Sequence, residues 1–264
     1  MTKNEISLDE MKQIELDILL RIDSFCKENQ LRYAIGYGTL IGAVRHKGFI
    51  PWDDDIDIMM PRPDYDRFLY SFQDSIYKLL CIEHGDYYRT YAKVYDSRTL
   101  ITNTNNKDMG VFVDVIPIDG LPEKEDEARC YLSKMVRIRK CMYQIMAYNI
   151  YGKRKPIFKL YLYRLMGIFF PISKIIRKYL KLSKKYDFEK SNYVAGFAVG
   201  PDTWLLKRDF VEKLTDLEFE GKIVKAPLLY DQCLRVLYGD YMQLPPVEER
   251  TPKHAYQVYW KHLV

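Results

Sequence analysis

The sequence predicts an α/β protein, of the α+β kind, in two parts: short strands and helices over residues 1–122 and a mainly helical region over 123–264. Two observations carry this. Before Pro122, apolar and alternating runs of strand length are interspersed with amphipathic helical patterns; beyond it the helical patterns lengthen. The charge changes at the same place. From Ala128 to Tyr186 there is no Asp or Glu while Lys and Arg occur sixteen times, so a net charge of +5 leaves −11 for the remainder. The protein is an acidic body with one basic insert, 128–186, and a C-terminal segment expected to complete the core. A composition 48% hydrophobic and 29% charged describes a globular chain.

The elements follow in order. "SLDEMKQIELDILL" places Leu8, Met11, Ile14, Ile18, Leu19 and Ile22 on one helix face, with Ser7 or Asp9 at its start; its acids and the lack of an apolar h-region set it apart from a signal peptide. "RYAIGYG" reads as a strand entering a glycine turn, and "TLIGAVRHKG" as a short helix with Thr39 as N-cap and Gly48 as stop. "DIDIMM" alternates with period two, a strand with one wet face. "RPDYDRFLYSFQ" is a helix, "YKLLCIEH", "YYRTYAKVYD" and "TLITNT" are strand-like, and "GVFVDVIPI" is a strongly apolar strand. Five cysteines, odd in number and without a CxxC pair, fit reduced thiols and a cytoplasmic location.

The chemistry concentrates in "GYGTLIGAVRHKGFIPWDDDIDIMMPRP". On a strand Asp55 and Asp57 share one face, about 7 Å apart along the chain, while Ile56 and Ile58 point to the core. Adjacent carboxylates repel unless a cation lies between them, and Mg²⁺, or Mn²⁺ in its place, takes such oxygen ligands. Asp114 in "VFVDVIPID" offers a third carboxylate from a neighbouring strand, which suits metal-assisted phosphoryl transfer. The plain alternative is a solvated acidic loop for Asp53 and Asp54, and an edge-strand acid paired with a lysine for Asp114. Asp119, before Gly120, reads as a turn residue. Upstream, Gly36 and Gly38 permit close backbone approach, and a helix starting near Thr39 offers N–H groups to an anion.

This run, Gly-Thr-Leu-x-Gly-x-x-Arg-x-x-Gly-x-Ile-Pro-Trp-Asp-x-Asp-x-Asp, closely resembles the LicD family of phosphocholine transferases, within the nucleotidyltransferase superfamily and related to the fukutin-type transferases. "YAKVYDSRT", "VFVDVIPID" and "YGDYMQLPP" extend the resemblance, which is dense from Arg32 to Asp119. It implies a nucleotidyltransferase-type mixed-sheet core. It also implies transfer of phosphocholine from CDP-choline to a sugar hydroxyl with release of CMP, and Mg²⁺ held by Asp55, Asp57 and Asp114. The acceptor would be a polyprenyl-linked precursor of teichoic acid or another surface glycan. Asp114 serves as ligand or as proton acceptor; the residues leave both open.

Gly38, Thr39, Arg45 and Lys93 are the candidate substrate contacts, Arg45 because a guanidinium grips phosphate bidentately; a salt bridge to a nearby aspartate is its alternative role. A quaternary ammonium needs aromatic rings, and Tyr37, Tyr238 and Tyr241 are candidates. The basic, aromatic-rich stretch "KPIFKLYLYRLMGIFFPISKIIRKYLKLSKKY" is too interrupted to span a bilayer and suits either peripheral contact with anionic lipid at the inner face of the membrane or a helical subdomain with a solvated basic face. No nucleic-acid-binding motif accompanies it. Two other functions fit the acids less well: transfer of a nucleotide from an NTP to a small molecule, and glycan or lipid binding without catalysis.

Overall fold

The computed structural model describes residues 4–85, 87, 89–102, 109–151, 172–252, 254 and 256–261, and of 146–151 only the backbone. Most of the stretch expected to meet a membrane, residues 152–171, lies outside them.

Helix α1 (Leu8–Glu28) is capped by Ser7, whose Oγ accepts from the Glu10 N–H at 3.2 Å; Met11, Ile14, Ile18, Leu19 and Ile22 are buried as the spacing predicts, while Leu8, in its first turn, is exposed. Strand β1 (Ala34–Ile35) leads into α2 (Tyr37–His46). Then come β2 (Ile56–Pro61), α3 (Arg62–Ser71), β3 (Tyr77–Leu80), β4 (Ala92–Asp96), β5 (Thr99–Thr102) and the long β6 (Phe112–Gly120). The chain continues with α4 (Glu125–Tyr151), α5 (Ile172–Ser183), β7 (Tyr193–Ala195), β8 (Leu206–Lys207), α6 (Asp209–Glu212), β9 (Leu214–Phe219), β10 (Lys222–Pro227), α7 (Tyr230–Tyr238) and β11 (Gln257–Trp260). The second part therefore keeps its long helices and adds short strands that its sequence pattern does not announce.

The main sheet runs β1-β2-β6-β4-β3, with β7 and then β8 continuing from the far end of β6. It is mixed: β2 and β6 are parallel, and the other pairs are antiparallel. Side-chain alternation divides its faces. Ile56, Ile58 and Met60 of β2, Val113 and Val115 of β6, and Ala92 and Val94 of β4 join the core formed with α1 and α3. Met59, Ile116 and Ile118 face the other way, into a second apolar cluster with Val194, Leu206, Cys233 and Leu237. The odd residues of β2 and the even residues of β6 thus share one face, the face that carries Asp57 and Asp114.

A third cluster joins α4 to α5 through Tyr131, Leu132, Met135, Val136 and Tyr179. Arg139 ties α4 to the loop after β7, donating to the carbonyls of Phe197 and Gly200 at 2.7 and 2.5 Å. Lys174, Arg177, Lys178 and Lys181 stand exposed on the outer side of α5 while Ile175, Ile176 and Leu180 pack inward, so the helix is docked with its basic face outward. No helix among the described residues is long and apolar enough to cross a membrane. All five cysteines are free.

Asp119 departs from its expected place. It is not a turn residue but sits near the end of β6, 1% exposed, and accepts both prongs of the Arg62 guanidinium at 2.6 and 3.1 Å. Arg62 opens α3, so this pair fastens the helix to the sheet. Gly120, with its Cα close to the Tyr186 carbonyl, lets β6 pass under the following chain rather than forming a bend.

Candidate active site

Parallel pairing of β2 with β6 sets Asp57 directly beside Asp114, and β4 lies beyond β6 with Lys93 opposite Asp114. Asp55, just before β2, completes the row: carboxylate oxygens of Asp55, Asp57 and Asp114 all lie within 4.8 Å of one another. The cause is local. Strands bury Val113 and Val115 on one side, so Asp114 between them must project to the other, where Asp57 already stands. Asp55, Asp57 and Asp114 are thus brought together as their spacing predicts.

Lys93 Nζ is bonded to Asp114 Oδ1 and lies 3.2 Å from the centre of the Phe112 ring. Burial, then Asp55 and Asp114, pushes the Asp57 carboxyl well above the usual carboxylate range, and Lys93 only partly opposes this. Burial likewise raises Asp114, against the pull of Lys93. Three hard oxygen donors at this spacing fit a divalent cation such as Mg²⁺.

The N-terminal turn of α2 closes one side. Its N-cap is Gly36, so Thr39 lies inside the helix instead of capping it, and its Oγ1 accepts from the Asp57 N–H at 2.8 Å, holding β2 in place. The close approach at the two glycines is made by the chain itself: a Cβ on Gly36 would come within 2.6 Å of Met59 Cγ, and one on Gly38 within 2.6 Å of Asp53 Oδ2. An anionic side chain at a helix start is favoured by the free N–H groups there, which is the place of Asp53. The stop at the other end is Lys47, in left-handed conformation, rather than Gly48.

Between Gly36 and Gly38, Tyr37 adopts φ of +50°, a region costly for a residue with a Cβ. Its ring stacks on Trp204 at 5.7 Å, and Trp204 meets Tyr238 edge-on at 5.2 Å. Tyr37 and Tyr238 both sense the charge of Asp57, which adds to the effect of burial in raising their hydroxyl pKa values. Two of the three tyrosine candidates therefore flank the acids. Tyr241 does not: its hydroxyl donates to Asp231 at 2.8 Å and its carbonyl accepts from Arg45. Arg45 donates to that carbonyl and to the His46 ring, at 2.8 and 2.9 Å, with Arg250 nearby, and no ion pair with an aspartate is seen for it among the described residues.

His254, Trp204 and Glu15 escape a reading by motif. Asp53 and Asp54 are buried, not a solvated loop, and form a second acidic group with Asp55; Asp54 is tied to His254, 200 residues away. Trp204 comes from the loop before β8. Glu15 lies 2% exposed in α1 with Oε2 lacking a hydrogen bond, its pKa raised by burial and then by Asp55 and Asp54. Only Glu15 had a visible signal, a carboxylate set within the apolar stripe of Met11, Ile14, Ile18 and Ile22.

Residues 30–172 match the family model described as LicD/FKTN/FKRP, nucleotidyltransferase domain. The chain is similar to lipopolysaccharide cholinephosphotransferase LicD of Haemophilus influenzae, with 30% identity over 263 residues, covering 97% of this chain and 98% of that protein. Shorter similarity links it to an uncharacterized protein of Rickettsia typhi, 35% identical over 85 residues (31% of this chain, 26% of the other), and to one of Rickettsia prowazekii, 54% identical over 37 residues (14% of each).

Proposed function

The chain belongs to the LicD/FKTN/FKRP nucleotidyltransferase family, and from that premise we propose that it transfers phosphocholine from CDP-choline to a sugar hydroxyl of a surface glycan, releasing CMP. The observation that carries this reading is the in-register meeting of Asp57 and Asp114, with Asp55, on one face of the sheet. Lipopolysaccharide is the acceptor context named for the Haemophilus relative; a lipid-linked teichoic acid precursor presents the same nucleophile.

Asp55, Asp57 and Asp114 would hold Mg²⁺. Bound there, the ion would neutralise charge on the diphosphate and on the departing CMP. Lys93 already holds Asp114 and offers a second positive charge beside the phosphates. Thr39 fixes the β2 backbone, so Asp57 cannot swing away from Asp114. Tyr37, Trp204 and Tyr238 supply π faces beside the acids, a setting that favours a quaternary ammonium, which cannot donate hydrogen bonds.

The test is incubation with labelled CDP-choline, CDP-ribitol and CDP-glycerol, each with Mg²⁺ and a lipid-linked glycan extract. Phosphocholine appearing on the glycan with equimolar CMP is the expected result. Pyrophosphate release from an NTP, with no CMP from any CDP donor, would replace this reading with nucleotide transfer. We also propose that the outer face of α5 rests against anionic lipid, each cation there contributing about 1 kcal/mol. Reversing Lys174, Arg177, Lys178 and Lys181 together should abolish sedimentation with anionic vesicles while leaving transfer to a soluble acceptor unchanged.

A further inference from the structure

Asp54 and His254 form a pair that the reaction described above does not yet use. Asp54 is 2% exposed and accepts twice from one residue: Oδ2 from the His254 backbone N–H at 3.1 Å, and Oδ1 at 3.0 Å from Nδ1. A carboxylate can only accept, so Nδ1 carries the proton and the neutral ring has its lone pair on Nε2. Tyr256 lies flat against the imidazole, 5.0 Å between centres and 4° from parallel, which fixes the ring plane. The histidine side chain stays 36% exposed, and among the described residues Nε2 has no hydrogen-bond partner. Carboxylate oxygens of Asp54 and Asp55 lie within 4.8 Å of each other, so the imidazole bonded to Asp54 stands at the rim of the acid cluster, where Asp54, Asp55 and Lys93 are the charged groups that act on it.

We propose that His254 is the base that takes the proton of the attacking sugar hydroxyl, with Asp54 as its positioning residue; the assignment rests on the phosphocholine-transfer reading. The hydroxyl oxygen bonds to the phosphorus that bears choline. The bond from that phosphorus to the bridging oxygen breaks, its electron pair leaves with CMP, and the hydroxyl proton passes to Nε2 and then to water. Asp114 is the poorer acceptor, since Lys93 occupies its Oδ1 and its remaining lone pairs face the proposed cation site shared with Asp55 and Asp57. The Asp54–His254 arrangement follows the logic of an acid that holds an imidazole in the right tautomer.

The experiment compares wild type, His254→Ala and Asp54→Asn over pH 5–9 with labelled CDP-choline, Mg²⁺ and a lipopolysaccharide-derived acceptor, folding being checked by circular dichroism. His254→Ala should lower kcat by about 100-fold or more. It should leave the donor KM unchanged, remove the acidic limb of the profile and respond to added imidazole. Asp54→Asn should keep that limb and move it to lower pH, because the carboxylate is what holds the imidazole up. A His254→Ala enzyme that retains the acidic limb overturns the proposal. A wild-type protein that releases no CMP from CDP-choline overturns the donor reading instead. Ring ¹⁵N shifts of the wild-type protein judge His254 independently of donor and of variant folding: a protonated Nδ1 with free Nε2 supports the assignment, and the opposite tautomer overturns it.

Discussion

Strand β6 carries two aspartates five residues apart, Asp114 and Asp119, which therefore project from opposite faces of the sheet. Both are nearly sealed from water, 6% and 1% exposed, and burial raises both carboxyls, Asp119 to about 6. Their partners differ. Asp119 meets a guanidinium that engages both of its oxygens and is itself laid over the Tyr65 ring, with Asp66 at 3.3 Å and Glu83 at 3.9 Å on its remaining nitrogen. Asp114 meets one ammonium on one oxygen, while Asp55 and Asp57 press two further acids against it. A buried, perturbed carboxylate is thus not by itself a mark of a site. The way its oxygens are engaged separates the two: both oxygens of Asp119 are held by the guanidinium that fastens α3, whereas Asp114 has an ammonium on one oxygen and carboxylates of Asp55 and Asp57 within 4.8 Å.

The comparison breaks first at the acids themselves. Asp57→Asn or Asp114→Asn should cut turnover by about 1000-fold or more, because each removes a ligand from the proposed metal site. The metal-free melting temperature should stay level or rise, since a repulsive charge is gone. Calorimetry beside a CMP-release assay reads both; a variant that melts early would place these acids with Asp119. The opposite pattern belongs to the Arg62–Asp119 pair. Arg62→Met strands Asp119 in the interior and should cost about 3–5 kcal/mol in urea unfolding, with activity per folded molecule retained. Joint replacement, Arg62→Met with Asp119→Leu, should recover much of that loss.

A smaller effect is expected from pH. Asp57, Asp114, Glu15 and Asp119 all have folded-state values above those of an unfolded chain, near 4. Over the interval between, the folded chain binds more protons, so metal-free stability should fall as pH rises through about 6. Saturating Mg²⁺ should flatten the part due to Asp57 and Asp114 and leave the part due to Asp119. Melting curves from pH 4 to 8, with Mg²⁺ and with EDTA, test this; equal slopes would contradict it. Smallest of all, Lys93→Ala should lower the metal-free melting temperature by a few degrees and enlarge the increment added by Mg²⁺. An unchanged donor KM in that variant would restrict Lys93 to steadying Asp114.

The acids were legible in sequence because period-two alternation is a local property. Asp55, Asp57 and Asp114 stand among β-branched neighbours that dictate which way each points, and the extent of α1 followed from its Ser7 cap and apolar stripe. What escaped depends on tertiary contact. The α2 boundary moved from Thr39 to Gly36 because the Thr39 hydroxyl is engaged by the Asp57 amide and so does not cap. Asp119 precedes a glycine, a turn signal, yet its conformation is set by Arg62 from another element. His254 and Trp204 carry no local mark, since nothing in their neighbours along the chain says that the fold returns them to the acids. Arg45 is close to the aspartates in sequence, yet its hydrogen bonds run to the Tyr241 carbonyl and the His46 ring.

The 200-residue separation of Asp54 from His254 has a consequence during synthesis. At translation rates of about 5–20 residues per second, roughly 10–40 s pass between the emergence of the acid and that of the imidazole. All five strands of the β1-β2-β6-β4-β3 path have left the ribosome well before that interval ends, so the carboxylate cluster can assemble while the chain still lacks His254. Strand β5 waits over the same period for β11, its backbone edge unpaired and open to other extended segments. A half-made chain on this plan holds the acids without the imidazole, and arrival of the C-terminal segment both closes the edge and brings the ring to Asp54.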